Sequence, residues 1–258
     1  MTDPFVIKNA KDIAMPWTHW FLYGPSGSGK TTAASTFPNP LFLVPAAEGS
    51  ELTLAGLDVP YIKIGRDAAN GVVKPREHMM SVLKFLGEQH DKMRQCLAKG
   101  DEAGAIEAFP WETIVCESMT HYCSMLQDDI GNNGAIKMDQ QRWGLMADHL
   151  RMLHARLRTF ECHVVFTALA KVEGEGNAVE GAADISGKMA RLMPSACDAI
   201  GFCEVVESTS ARQPPTYRVH FRQHRVYPAR TRFRGMPAVI ENFNFAEVQQ
   251  YTMPSTKA

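Results

Sequence analysis

The stretch Gly24-Pro25-Ser26-Gly27-Ser28-Gly29-Lys30-Thr31 constrains this chain more than any other. It fits G-x-x-x-x-G-K-[ST], a loop whose backbone N–H groups cradle phosphate oxygens. Ahead of it runs Trp17-Thr18-His19-Trp20-Phe21-Leu22-Tyr23, a β-prone run long enough for one strand. Behind it, Thr32-Ala33-Ala34-Ser35-Thr36-Phe37 continues as a helix until Pro38. Strand, glycine loop and helix are the context this motif needs. Glycines let the backbone take positive φ and turn its N–H groups inward. The helix opening near Lys30 adds the positive end of its dipole. Lys30 brings an ammonium for the β- and γ-phosphates, and the Thr31 hydroxyl suits Mg²⁺. The pattern therefore points to a nucleoside triphosphate held by residues 24–32, Thr32 included, with a ligand-free glycine turn as the bland alternative.

The rest of the composition narrows the class. A chain of 258 residues suffices for one large α/β domain or one domain with an appendage. Its formal net charge of −1 does not announce a nucleic-acid binder, so any such surface must be a local patch. Six cysteines form no C-x-x-C pair, and several sit in apolar runs such as Val115-Cys116 and Phe202-Cys203. They read as small buried hydrophobes of a reducing compartment. No apolar run approaches the ~20 residues that span a bilayer. The N-terminus, with Asp3, Pro4 and Lys8, lacks a signal-peptide core, and a cytoplasmic protein without membrane contact is expected.

Beyond the loop, Pro40-Leu41-Phe42-Leu43-Val44-Pro45 is a short apolar run between prolines, the pattern of a strand buried on both faces. Glu48 follows it, where open α/β sheets bind ligands; a solvated loop acid is the alternative. Residues 61–64 alternate like a strand. Residues 75–99 form a helix with Met79, Val82, Leu83, Leu86, Met93 and Leu97 on one side. Residues 100–110 read as a connector. Thr113-Ile114-Val115-Cys116 then leads into Glu117, the Walker B form: a central strand ending in a carboxylate aimed at Mg²⁺ through water. Ser118 is placed to cap a helix over 119–130. From Asp139 an amphipathic helix of about 20 residues presents Trp143, Met146, Leu150, Leu153, Leu157 and Phe160 on one face. Its Arg and His residues, from Arg142 to Arg158, fall on the other. His163-Val164-Val165-Phe166-Thr167 is the next buried strand, with Thr167 as the polar residue at its end. Residues 171–187, rich in Gly, Glu and Ala, look like a mobile loop. Residues 199–207 and 216–223 read as two strands of a C-terminal antiparallel hairpin. A basic stretch from Arg218 to Arg234 follows, interleaved with Tyr217, Phe221, Tyr227 and Phe233.

Taken as a set, these marks resemble the phage-encoded RecA-like P-loop ATPases, the group that includes single-strand-annealing recombination proteins. The set is the loop at 24–31, Pro-Leu-Phe-Leu before Glu48, Thr-Ile-Val-x-Glu-Ser at 113–118, Trp143-Gly144, His-Val-Val-Phe-Thr at 163–167 and Arg-Thr-Arg-Phe-Arg-Gly-Met-Pro at 230–237. The resemblance spans roughly 17–245. It implies an α/β fold of RecA-like P-loop NTPase type: a mostly parallel central sheet flanked by helices, with the antiparallel hairpin at its C-terminal end. Residues 1–16 would be a lead-in, 17–245 the ATPase domain and 246–258 a tail. The resemblance makes Glu48 the base that polarises the attacking water and Glu117 the Walker B acid. It makes Thr167 a sensor of the γ-phosphate. Arg230 and Arg232 match a Lys-x-Arg pair that reaches a neighbouring subunit's nucleotide, so a homo-oligomeric ring or filament is implied. The 171–187 loop would face single-stranded DNA. ATP and Mg²⁺ are the implied ligands. Three departures bear on hydrolysis: Glu117 stands for Asp, Ala168 for His or Gln, and Arg230 for Lys. A nucleotide-gated assembly factor of helicase-loader type, with little hydrolysis, and a P-loop small-molecule kinase stay open beside the ATPase.

Overall fold

A computed structural model describes residues 17–46, 50–67, 71–174, 179–208 and 214–252. The chain opens with β1 (His19–Gly24), α1 (Lys30–Ser35) and β2 (Pro40–Pro45). A 3-10 turn at Ser50–Leu54 leads to β3 (Tyr61–Ile64) and a small ribbon of β4 (Arg66–Asp67) and β5 (Gly71–Val72). Next come α2 (Pro75–Ala98), α3 (Glu102–Ala108), β6 (Thr113–Cys116), α4 (Met119–Ile130) and α5 (Gln140–Leu157). The remainder is β7 (His163–Glu173), β8 (Glu180–Ala183), α6 (Met189–Ser195), β9 (Ala199–Val206), β10 (Thr216–His220), β11 (Arg230–Thr231), β12 (Val239–Glu241) and α7 (Phe245–Thr252).

The main sheet runs β12-β10-β9-β1-β7-β6-β2-β3. From β9 to β3 every neighbour is parallel; β10, β12 and β11 add antiparallel pairs at the C-terminal side. This is the mostly parallel sheet flanked by helices that the resemblance implied, and β9–β10 is the expected hairpin. Parallel strands need crossover helices, and those helices bury both faces. β1 shows the result: every residue from His19 to Gly24 is buried. Its side chains alternate. Phe21 and Tyr23 join the core under α2, α4 and α5, while Trp20 and Leu22 join the core under α1 and α7. Trp20 is fully buried among Phe37, Phe221, Phe233, Phe243 and Phe245, with ring centroids 5.2–6.0 Å away.

Several local expectations change. The 100–110 connector holds α3, whose start is capped by Asp101 accepting from the Gly104 N–H at 2.9 Å. Leu97 is exposed although the helix period put it with the buried stripe. The 171–187 segment is not simply a loop, because β7 continues to Glu173 and pairs antiparallel with β8. Only 175–178 of it lie outside the described residues. The boundary at 245 falls at the start of α7, whose Phe245 and Val248 are buried, so packing continues into the expected tail. The α5 face is also less polar than its letters suggest. His149 is buried with its Nε2 2.6 Å from the Tyr122 hydroxyl, and the His154 ring packs at a tilt on Phe166, 5.6 Å between centroids. Among the described residues no helix is long and apolar enough to cross a membrane.

Four histidines are held by this packing in the neutral form. Burial pushes His19, His149, His154 and His163 down from 6.5 to about 4. Asp198 opposes the shift at His19 without reversing it. In the unfolded chain these groups take up protons near 6.5, so the unfolded state binds more protons between that pH and about 4, and stability falls as the pH falls through this window. At about 1.36 kcal/mol per unit, the three most buried of them (His19, His149 and His163) together weigh several kcal/mol, on the order of a domain's whole net stability. Thermal melts from pH 7.5 to 4 are expected to show Tm dropping steeply below pH 6.5. A Tm flat across that range would contradict the burial.

Candidate nucleotide site

The P-loop is built where β1 ends. Gly27 and Gly29 take φ of 74° and 81°, conformations that suit glycine, and they bend the chain back into α1. Gly24 has a different reason to be glycine. A Cβ there would lie 2.1 Å from the Cys203 carbonyl oxygen of β9, so the loop's first residue is pressed against the neighbouring strand. Pro25, Ser26, Gly27 and Thr32 are exposed, Thr31 is half-buried, and Ser28 and Lys30 are buried. The Ser28 hydroxyl donates to the Pro25 carbonyl at 2.8 Å. Lys30 Nζ donates to the carbonyls of Gly24 and Pro25 at 3.1 and 2.6 Å and lies 3.4 Å from Ser28 Oγ. Burial lowers the lysine's pKa, while Cys203 and Glu117 work against that shift.

Glu117 leaves β6 beside this loop, its N–H bonded to the Leu43 carbonyl at 3.0 Å. It is buried, and burial raises its carboxyl pKa. The hydroxyls of Thr167 and Thr31 and the charge of Lys30 pull the other way. So four residues picked from three separate stretches, Lys30 and Thr31, Glu117, and Thr167, meet in one place. Glu117 Oε2 is buried there without a hydrogen-bond partner. A buried carboxylate oxygen without a donor is costly unless a cation or donor completes it. Beside a threonine hydroxyl, that oxygen is a hard-oxygen donor set that fits Mg²⁺.

A family profile described as an AAA domain matches residues 18–233. The chain belongs to the AAA domain family. No curated protein matches it. Among solved structures it is similar to a KaiC-like protein from Pyrococcus horikoshii OT3, at 12% identity and a TM-score of 0.43, covering 87% of this chain and 89% of that one. It is also similar to an ATPase from the type III secretion system of pathogenic bacteria, at 12% identity and a TM-score of 0.43, covering 72% of this chain and 50% of that one.

The other expected site residues of this AAA domain are placed differently. Glu48 lies outside the described residues. Thr167 does not end its strand: it pairs with Leu22, and β7 runs on past Leu169 opposite Gly24. It faces Glu117 from within the sheet, and its hydroxyl lies 3.4 Å from the Cys116 carbonyl. Arg230 and Arg232 sit by the starts of β9 and β1, since Arg230 pairs with Ile200 and Ile200 with Phe21. That is the opposite end of the strands from the P-loop. Arg230 donates to the carbonyls of Ser195 and Cys197 at 2.7 and 3.2 Å, and Arg232 pairs with Asp198 at 3.1 Å.

The basic stretch is also less free than its letters imply. Arg218 pairs with Glu241 at 2.8 Å, and His220 lies 2.8 Å from Glu204. Phe221 and Phe233 are core residues, and Tyr227 stacks on Phe202 at 4.0 Å. Arg222, Arg225 and Arg234 are exposed. One neighbour of the P-loop was not foreseen: Tyr217 of β10 packs on Gly29, its Cδ1 2.9 Å from where a Cβ would sit. No local pattern marks it, because the contact depends on β10 folding back along β9.

Proposed function

We propose that this AAA domain binds ATP with Mg²⁺, hydrolyses it, and uses the cycle to act on single-stranded DNA as a homo-oligomer, in recombination or annealing of the phage type. The observation that carries the nucleotide part is the convergence of Lys30, Thr31, Glu117 and Thr167 around one unpartnered carboxylate oxygen. Loop N–H groups and Lys30 would hold the phosphates, and Thr31 and Glu117 would hold Mg²⁺, which supplies charge neutralisation at the phosphoryl oxygens when bound. Lys30 exchanges its loop carbonyls for phosphate oxygens, a change from neutral to charged acceptors. Glu48 is the proposed base for the attacking water. Arg230 and Arg232 point away from their own P-loop, so any action on phosphate is on a neighbouring copy and requires them to leave Asp198 and the Ser195 and Cys197 carbonyls. The exposed Arg222, Arg225 and Arg234 support the DNA part.

A second reading has an observation of its own. A cleft of about 1060 Å³ opens beyond the C-terminal ends of β2 and β3, lined by Lys63, Arg66, Lys74, Arg76 and Arg142 among others. Glu51, Asp128 and Asp129 also line it, and Lys63 pairs with Glu51, but the five basic residues outnumber these three acids, a surplus that suits an anionic phosphoryl acceptor, as a small-molecule kinase would need.

Phosphate release from ATP, measured with and without single-stranded DNA over a salt series, tests the reading. Turnover without any acceptor, raised by DNA and losing that stimulation steeply as salt increases, is the expected result. Release that DNA does not change removes the DNA part. No release at all without an added acceptor leaves the kinase and the low-hydrolysis assembly factor, and phosphoryl transfer to an added acceptor then separates the two.

A further inference from the structure

On the other side of β9 from the P-loop lies a cluster that the nucleotide site does not use. Glu204 projects from β9, His220 from β10, and His224 from the turn that follows. Glu204 and His220 are brought together by the antiparallel register, in which His220 stands opposite Phe202. The turn is closed by reciprocal backbone bonds between His224 and Tyr227 at 3.0 and 2.9 Å, with Arg225 at φ 54°. This folds His224 back over the strand, its ring 3.9 Å from that of His220. Two imidazole nitrogens then converge on one carboxylate: His220 Nε2 lies 2.8 Å from Glu204 Oε1, and His224 Nε2 lies 3.4 Å from Glu204 Oε2. His224 Nε2 is buried with no hydrogen-bond partner. The ligand atoms of all three residues lie within 4.8 Å of one another.

We propose that Glu204, His220 and His224 form a binding site for a divalent first-row transition metal, with Zn²⁺ as the representative ion. Zinc takes imidazole nitrogen at roughly 2.0–2.1 Å and carboxylate oxygen at roughly 2.0–2.2 Å, so tetrahedral ligands stand roughly 3.3 Å apart. Two of the three ligand separations, 2.8 and 3.4 Å, bracket that spacing, and all three lie within 4.8 Å. Two imidazoles and one carboxylate select such metals over Mg²⁺, which prefers oxygen ligands. The three side chains keep 8–24% of their surface exposed, which leaves a fourth position to water. The site has a structural reach. The Val226 carbonyl accepts from the Gly181 N–H at 2.8 Å, and Tyr227 packs against Gly181. Metal fastening His224 to β9 therefore also fastens the turn that supports β8.

The full chain, stripped with chelator and exchanged into metal-free buffer, is titrated with Zn²⁺ in excess Mg²⁺ and without nucleotide. Excess Mg²⁺ keeps the Glu117 region from contributing. One tight equivalent is expected. Co²⁺ in its place should give visible d–d absorption with no thiolate charge-transfer band, since no cysteine takes part. Glu204→Gln and His224→Gln should each weaken Zn²⁺ by about 100-fold or more, at least the upper end of what losing an outer-shell partner costs. If Glu204→Gln does not fold, His224→Gln, on the more exposed turn residue, decides alone. Absence of a tight equivalent in the wild type, a thiolate band, or variants that bind as the wild type does would each overturn the site. The nucleotide reading stands or falls separately.

Discussion

Lys30→Met is expected to abolish measurable ATP binding while the protein stays folded. Methionine keeps the length and apolar stem of the lysine but removes the ammonium. That ammonium now donates to the Gly24 and Pro25 carbonyls from a buried position. Phosphate oxygens are better acceptors for it, and charge-assisted hydrogen bonds are worth roughly 1.5–3 kcal/mol each. Losing two costs roughly 10²–10⁴ in affinity, enough to carry a micromolar site out of range. Fluorescent-nucleotide titration, with a melt to confirm folding, is the measurement. Burial lowers this lysine's pKa, so removing it also takes a desolvated charge out of the core, and Tm should not fall much. A folded Lys30→Met protein that binds ATP as tightly as the wild type would remove the P-loop from the nucleotide site.

Glu117→Gln separates stability from turnover in the opposite way. Glu117 is buried, burial holds its pKa above the ordinary 4.5, and Oε2 has no donor. Because the folded pKa lies above the unfolded one, the fold is favoured while the group is protonated, and that contribution is lost as pH rises through the folded value. A neutral amide of the same shape avoids the loss. At pH 7.5 the variant is expected to be more stable by roughly 1–3 kcal/mol, the penalty scale of a buried unsatisfied polar group. Below pH 4.5, where both side chains are neutral, the gain should vanish. Mg²⁺-dependent ATP turnover is expected to fall by roughly 10²–10³, as when a group stabilising transition-state charge is lost. Melts across pH beside steady-state phosphate release give both halves. A destabilised variant would mean that the carboxylate is satisfied in the fold.

The parts of this architecture that could be read directly were those whose physics is local. The glycine loop, the buried runs of β1 and β2, the Ser118 cap and the acid after β6 each announce themselves within a few residues. Their meeting point was legible too, because parallel strands place their C-terminal ends along one edge. What stayed hidden depends on register across long separations. His149 counts as polar on a helical wheel until Tyr122 is brought to it. Phe221 and Phe233 alternate with arginines as an exposed strand would, yet Trp20 gathers them into the core. The acids that neutralise the basic stretch, Asp198, Glu204 and Glu241, come from other segments of the chain, so counting charge along the basic stretch overstated it. Thr167 read as a strand end because nothing before residue 180 shows that β8 will extend β7.

That extension has a mechanical meaning. Between Thr167, which faces the Glu117 carboxylate, and Val172, which is exposed where β7 pairs with β8, β7 contains neither a glycine nor a turn. Five residues of strand span about 16 Å. A rod of that kind has no joint at which to absorb a tilt. The inner end is clamped on both sides by β1 and β6, and the outer end is braced by a single partner, β8. The clamp of β1 ends at Leu169, opposite Gly24, so load on the outer tip enters the sheet where the P-loop begins, two residues from the threonine.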